Sequence, residues 1–255
     1  MSGPSVRTSR CSTTETKSAQ CYARESSRSP PCLPCGLSEH YPRSRAWRST
    51  ASRVAGALHH GIARLARDVG ATLVRVFTGY EHPAASYSYQ WKLIVDVLRE
   101  SSKRASEFGV TIGVQNHHDI GVGFENHYDL ITEVAEPNCR ALFDAWAPSL
   151  HGADLKTAAK KMAPLTAHTT IADYQLRPRY RYSAGVVNYE ALLPYSQAVP
   201  MGEGFIDYNG FLAEMSSQGF NGTIAYEMCS PLIGGGTLEV LDRYARKFLE
   251  YMKGQ

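Results

Sequence analysis

Three times along this chain an amphipathic helix pattern runs into a glycine and an apolar strand pattern follows. That repeat restricts the fold more than any other feature. The three units are ALHHGIARLARDVG then ATLVRVF, WKLIVDVLRESSKRASEFG then VTIGVQ, and YNGFLAEMSSQGF then NGTIAYE. In the second, Trp91, Val95, Leu98, Ala105 and Phe108 share one face at helical spacing. Gly70, Gly109 and Gly219 stand where a left-handed cap stops a helix. Two weaker units lie between these. Tyr128, Ile131 and Ala135 form a helical face before Pro137, with CRALFDAW as the strand, and a helix over Leu150 to Met162 precedes APLTAHTTIADY. A last helix spans about Leu238 to Met252. Strands alternating with helices of this length imply parallel βα units. They are expected near 72–77, 110–116, 139–144, 164–171, 198–201 and 222–228, about six where a closed βα barrel has eight.

The 255 residues suffice for one large α/β domain, expected over 52–255. Residues 1–50 differ: they are rich in Ser, Arg, Pro and Cys, show no period, and hold eight basic residues against three acidic. Such a segment buries too little surface to offset its ordering entropy, so a disordered or aberrant segment is expected. An organelle transit peptide and a zinc knuckle on Cys32-Leu-Pro-Cys35 are the other readings, and Cys11 and Cys21 are poorly spaced for the second. The remaining 205 residues hold nineteen basic against twenty-one acidic, which argues against a nucleic-acid surface. No apolar run approaches the ~18–20 residues of a membrane helix. Only Cys139 and Cys229 lie in this body, each in an expected strand, which suits a reducing, cytoplasmic setting.

Each expected strand ends in polar or ionisable residues. Strand 72–77 leads to Glu81 and His82, and VTIGVQNHHD passes from apolar residues to Gln115, Asn116, His117, His118 and Asp119. Strand 139–144 ends at Asp144, strand 164–171 carries His168, and the last ends at Glu227. Adjacent parallel strands share one rim, so Gln115, Asp144, His168 and Glu227 are expected to converge there. Oxygen and imidazole groups of this kind suit a divalent ion such as Mn, Mg, Co or Zn. Plainer roles stay open: Asp144 can cap the next helix, and His168 can be a satisfied core residue. Glu227 ends an apolar run, where an unpaired carboxylate is costly. His117, not His118, shares a face with Gln115 if the strand stays extended, and Asp119 fits a turn before Gly121. Trp146 can offer a flat face to a ligand or simply pack. Arg177 and Arg179 suit phosphate, carboxylate or polyol recognition. The stretch from Tyr174 to Pro200 is a candidate lid.

VQNHHD, LFDAW and VPMGEGFIDYNGFLAEMSSQGFNGTIAYE together resemble the xylose-isomerase-like TIM-barrel superfamily of sugar and sugar-phosphate isomerases and epimerases, over roughly residues 55–255. The resemblance implies an α/β TIM barrel, incomplete at its amino-terminal side, with a metal set of Gln115, Asp144, His168 and Glu227. Gln115 stands where the family carries a glutamate. An amide oxygen can bind a metal, but an amide is not a general base, and the site loses a negative charge. Thr170 occupies the second position of the family's His-x-His.

The implied activity is a metal-dependent isomerase or epimerase acting through an enediolate on a sugar, sugar phosphate or polyol. Glu227 and one of His117, His168 or Glu81 would move the proton, and Asn116, Trp146, Arg177, Arg179 and Glu81 would bind substrate. The rivals are a dehydratase or lyase on an inositol-like ketone, and an inactive member of the family. Endonuclease chemistry on abasic DNA is disfavoured by the near-neutral body. Open sheet edges make a homo-oligomer or other partner chain the further expectation.

Overall fold

The helix–glycine–strand units fold as their periods require. In this computed structural model the structure describes residues 45–228 and 232–254. Cys11, Cys21, Cys32, Cys35 and Cys229, and with them the knuckle and transit-peptide readings and residues 1–44 of the tail reading, lie outside the described residues. The order is α1 (Arg45–Asp68), β1 (Leu73–Val76), α2 (Tyr87–Ser106), β2 (Thr111–Gln115), α3 (Phe124–Val134) and β3 (Cys139–Leu142). Then come α4 (Trp146–Leu150), α5 (Leu155–Met162), β4 (Thr166–Ile171), β5 (Asp173–Ser183), β6 (Asn188–Val199), α6 (Tyr208–Ser217), β7 (Thr223–Tyr226) and α7 (Leu238–Met252). Helix α1 begins at Arg45, inside the segment read as unstructured up to residue 50.

Strands β1, β2, β3, β4 and β7 form one parallel sheet in that order, a curled half-barrel. The outer residues of β2, Ile112 and Val114, are fully buried in a core with Val95 and Leu98 of α2 and Leu130 and Val134 of α3. The expected caps form: Gly70, Gly109 and Gly219 all have positive φ, a conformation open to glycine at little cost. Among the described residues, no helix is long and apolar enough to cross a membrane.

Two expectations are corrected. The helix over Leu150 to Met162 is two pieces, α4 and α5, with Gly152 at positive φ between them and Asp154 capping the second. The strand at 198–201 does not join the parallel sheet, so the described sheet has five strands rather than six. Residues 198–199 instead end β6, which pairs antiparallel with β5 from Asp173↔Val199 to Ser183↔Asn188. The stretch considered as a lid is therefore largely a two-stranded hairpin. Its register shifts between Arg177 and Arg179, where Pro178 has no N–H to give the ladder. Both faces carry polar residues, which hid the period-two pattern from the sequence reading.

The GEGFID run acquires a physical role. Asp173 at the start of β5 is buried, and its Oδ2 accepts from Gly202 N (3.0 Å) and Gly204 N (2.8 Å). A Cβ on Gly204 would overlap that carboxylate, so the turn can wrap it only as glycine. Asp207 then caps α6, accepting from Gly210 N at 2.9 Å. The run thus ties the foot of the hairpin to the last helix–strand unit, and β7 delivers Glu227.

Candidate active site

The strand ends meet as the parallel topology predicts. A pocket at the carboxyl ends of β2, β3, β4 and β7 is lined by Gln115, Asn116, His117, His118, Asp144, Trp146, Thr170, Tyr174, Tyr208 and Glu227, together with Ala147, Ile171 and Ala172. Asp144 is placed by its neighbour strand. Asn116 Oδ1 accepts from Asp144 N (2.8 Å), and Asn116 Nδ2 donates to Asp144 O (3.0 Å). This reciprocal clamp uses both ends of the Asn116 amide, so the residue read as a substrate contact also fixes Asp144. The Asp144 carboxylate divides its two oxygens. Oδ1 accepts from Trp146 N at 3.0 Å, satisfying the capping role, and Oδ2 accepts from Gln115 Nε2 at 2.8 Å. Burial pushes the Asp144 pKa up to about 6, with the Glu227 charge adding to the rise and the Gln115 and backbone hydrogen bonds opposing it.

Gln115 also donates to Thr170 Oγ1 at 3.2 Å. Its Oε1 is buried without a hydrogen-bond partner, an acceptor aimed at nothing the protein supplies. Thr170, rather than His168, is therefore the β4 residue beside Gln115 and Asp144. The β3–β4 register places it: Leu142 pairs with His168, so Asp144, two residues further on, comes level with Thr170. His168 faces the same side two residues earlier on the strand, outside the pocket lining. Burial lowers its pKa, the Arg75 charge adds to that, and Glu227 opposes.

Of the expected residues, the structure brings together Gln115, Asn116, His117, Asp144, Trp146 and Glu227. His168, Glu81, Arg177 and Arg179 do not line the pocket. Arg177 Nε donates to Gln197 Oε1 across the hairpin (2.9 Å), and Arg179 sits opposite Leu192. β2 ends at Gln115, so alternation lapses there and His118 reaches the pocket as well as His117, their ring centroids 4.8 Å apart. Trp146 stacks flat on Tyr174 (4.4 Å, 13°), which occupies one of its faces. Asp119 is the expected turn residue, accepting from Gly121 N (3.0 Å) and Thr78 N (3.1 Å). Sequence reasoning missed Tyr174, Tyr208 and above all Arg75. A charged residue inside the otherwise apolar LVRV was the available signal. Arg75 Nη1 donates to Glu227 Oε2 at 3.2 Å.

These donors do not fit a divalent ion. Gln115 is neutral, a threonine hydroxyl stands where an imidazole was expected, both Asp144 oxygens already accept from amide N–H groups, and Glu227 is ion-paired. Among the described residues, no three His, Cys, Asp or Glu side chains gather closely enough to hold a metal. The unpartnered Gln115 Oε1 suits a ligand hydroxyl, which donates, as well as it suits a cation.

The fold, with its pocket at the strand ends, defines an α/β-barrel protein of the xylose isomerase-like type. The chain belongs to the xylose isomerase-like TIM barrel family, whose model matches residues 53–251. Solved structures of this fold include an IOLI protein with a bound zinc atom (20% identity, TM-score 0.60, covering 76% of this chain and 67% of that one). A xylose isomerase-like TIM barrel protein from Mycobacterium smegmatis, in complex with magnesium, is 16% identical with TM-score 0.55, covering 76% and 65%. D-psicose 3-epimerase with D-tagatose, from Clostridium cellulolyticum H10, is 14% identical with TM-score 0.63, covering 80% and 71%. The chain thus spans about two thirds of the length of these structures. No curated protein matches the sequence.

Proposed function

We propose that the chain is an isomerase or epimerase of a sugar or polyol ketone, exchanging a proton at the carbon beside a carbonyl. The observation that supports this most is the meeting of two carboxylates from different strands, Asp144 and Glu227, in one pocket that several hydrogen-bonding and aromatic side chains also line. Glu227 takes the proton from the substrate carbon, leaving an enediolate. Asp144, its pKa raised to about 6, carries its own proton in a minor fraction of molecules near neutral pH and delivers it to the enediolate; Glu227 then loses its proton to solvent and Asp144 regains one. Gln115 Oε1 accepts a substrate hydroxyl and gains the partner it lacks in the protein. His117 supplies a donor or acceptor at the rim, and Trp146 an apolar wall.

The test is a panel of ketoses, aldoses and inositol-derived ketones incubated in D2O, with products read by NMR. Turnover should place solvent deuterium at the carbon beside the carbonyl, and Glu227→Gln should cost roughly 10²-fold or more. An active protein that incorporates no deuterium, or a Glu227→Gln variant at full rate, would overturn the reading. A product lighter by one water would move it to a dehydratase.

A further inference from the structure

β1 and β7 are the two ends of the five-stranded sheet, yet Arg75 from one reaches Glu227 at the end of the other. The ion pair crosses the mouth of the half-barrel. Its guanidinium lies over the Phe77 ring, 5.3 Å from the centroid, which fixes its direction. Opposite Arg75 in the ladder is Gly113, where a Cβ would overlap the Leu142 side chain, so no side chain from β2 contends for the space Arg75 crosses.

The charges then read differently from a four-ligand metal site. Gln115 contributes none, Asp144 one negative charge when ionised, Glu227 one more, and Arg75 one positive charge. One donor of the guanidinium is spent on Glu227, and the group carries five. His168, the one imidazole on β4, is held toward its neutral form, with the Arg75 charge contributing.

We propose that Arg75 is a positioning residue that holds Glu227 across the half-barrel, acts as the permanent cation of the site, and keeps the site from taking a divalent ion. The ligand is then a neutral polyhydroxylated molecule held by carboxylate, amide and guanidinium groups without metal. This ligand assignment rests on the sugar or polyol reading above, but the metal part is tested with no sugar present.

The experiment titrates purified protein with MnCl2 alone and follows bound Mn²⁺ by electron paramagnetic resonance. The wild type should show no saturable rim site. Arg75→Met frees Glu227 and should raise Mn²⁺ affinity at least about tenfold, a difference of about 1.4 kcal/mol. Adding Gln115→Glu to it should raise affinity further, and Gln115→Glu alone should not match that double variant. Arg75→Lys keeps the charge and should behave as the wild type. Arg75→Gln repeats the test if thermal melts show Arg75→Met unfolded. A purely structural role for Arg75 would lower Mn²⁺ binding or leave it unmoved. One Mn²⁺ bound by the wild type as tightly as by the Arg75 variants, and lost in Asp144→Asn, would overturn the proposal. So would Arg75→Met and Arg75→Gln that bind no better than wild type. Neither result bears on deuterium exchange by Glu227, so the two readings fail separately.

Discussion

Asp144 should cost the protein stability at any pH where its carboxyl is charged. Its carboxyl is buried, and burial raises its pKa from 3.8 to about 6. The folded state therefore holds this proton more tightly than the unfolded state does. Linkage sets the sign: the contribution is most favourable below about pH 4, declines as pH rises through the window from 3.8 to about 6, and stays at its lowest above it. A shift of about two units corresponds to about 3 kcal/mol as an upper figure, since each unit is worth about 1.36 kcal/mol. Asp144→Asn keeps the shape and removes the charge. Its remaining oxygen can accept from Trp146 N, and its amide N–H can face Gln115 if the Gln115 amide turns over. Some of the gain is lost with the charge-assisted bond, leaving about 1–3 kcal/mol of stabilisation at pH 8 and little at pH 4. Urea denaturation of both proteins from pH 4 to pH 8 measures this as a difference of differences, which removes every other titrating group. Parallel profiles, or a variant less stable than wild type at pH 8, would refute the argument. Stabilisation should come with lost deuterium exchange, because the same carboxyl delivers a proton to the enediolate.

His127 makes the opposite pH dependence. It is fully buried on α3, its Nε2 donates to Val114 O at 2.9 Å, and burial lowers its pKa to about 4 against the backbone bond. The folded state excludes the second proton, which would bury another donor at the unpartnered Nδ1. Stability is therefore fully present above pH 6.5 and is lost as pH falls toward 4, by about 3 kcal/mol, and His127→Gln should remove that slope in the same denaturation series. Asn116→Ala strips the clamp from Asp144, leaves a buried backbone N–H unsatisfied, and should cost about 2–4 kcal/mol in urea denaturation. A cost under 1 kcal/mol would mean that water or a shifted backbone replaces the clamp.

The alternation of helices and strands, the glycine caps and the family were legible because periodicity and local stereochemistry are written residue by residue. The strand-end rule carried Gln115, Asn116, Asp144 and Glu227 to one pocket with no knowledge of distances, since parallel strands place all their carboxyl ends on one side. Tertiary structure alone decided which neighbours those residues meet. The β3–β4 register sets Leu142 against His168 and so brings Thr170, two residues on, beside Gln115 and Asp144, and sequence does not show how two strands align. The hairpin was missed because neither of its faces is apolar enough to mark a core side. Arg75 and Glu227 stand 152 positions apart in the chain and on opposite ends of the sheet. Only the curl of that sheet makes them an ion pair, so the sequence named the carboxylate and the structure decided which cation answers it.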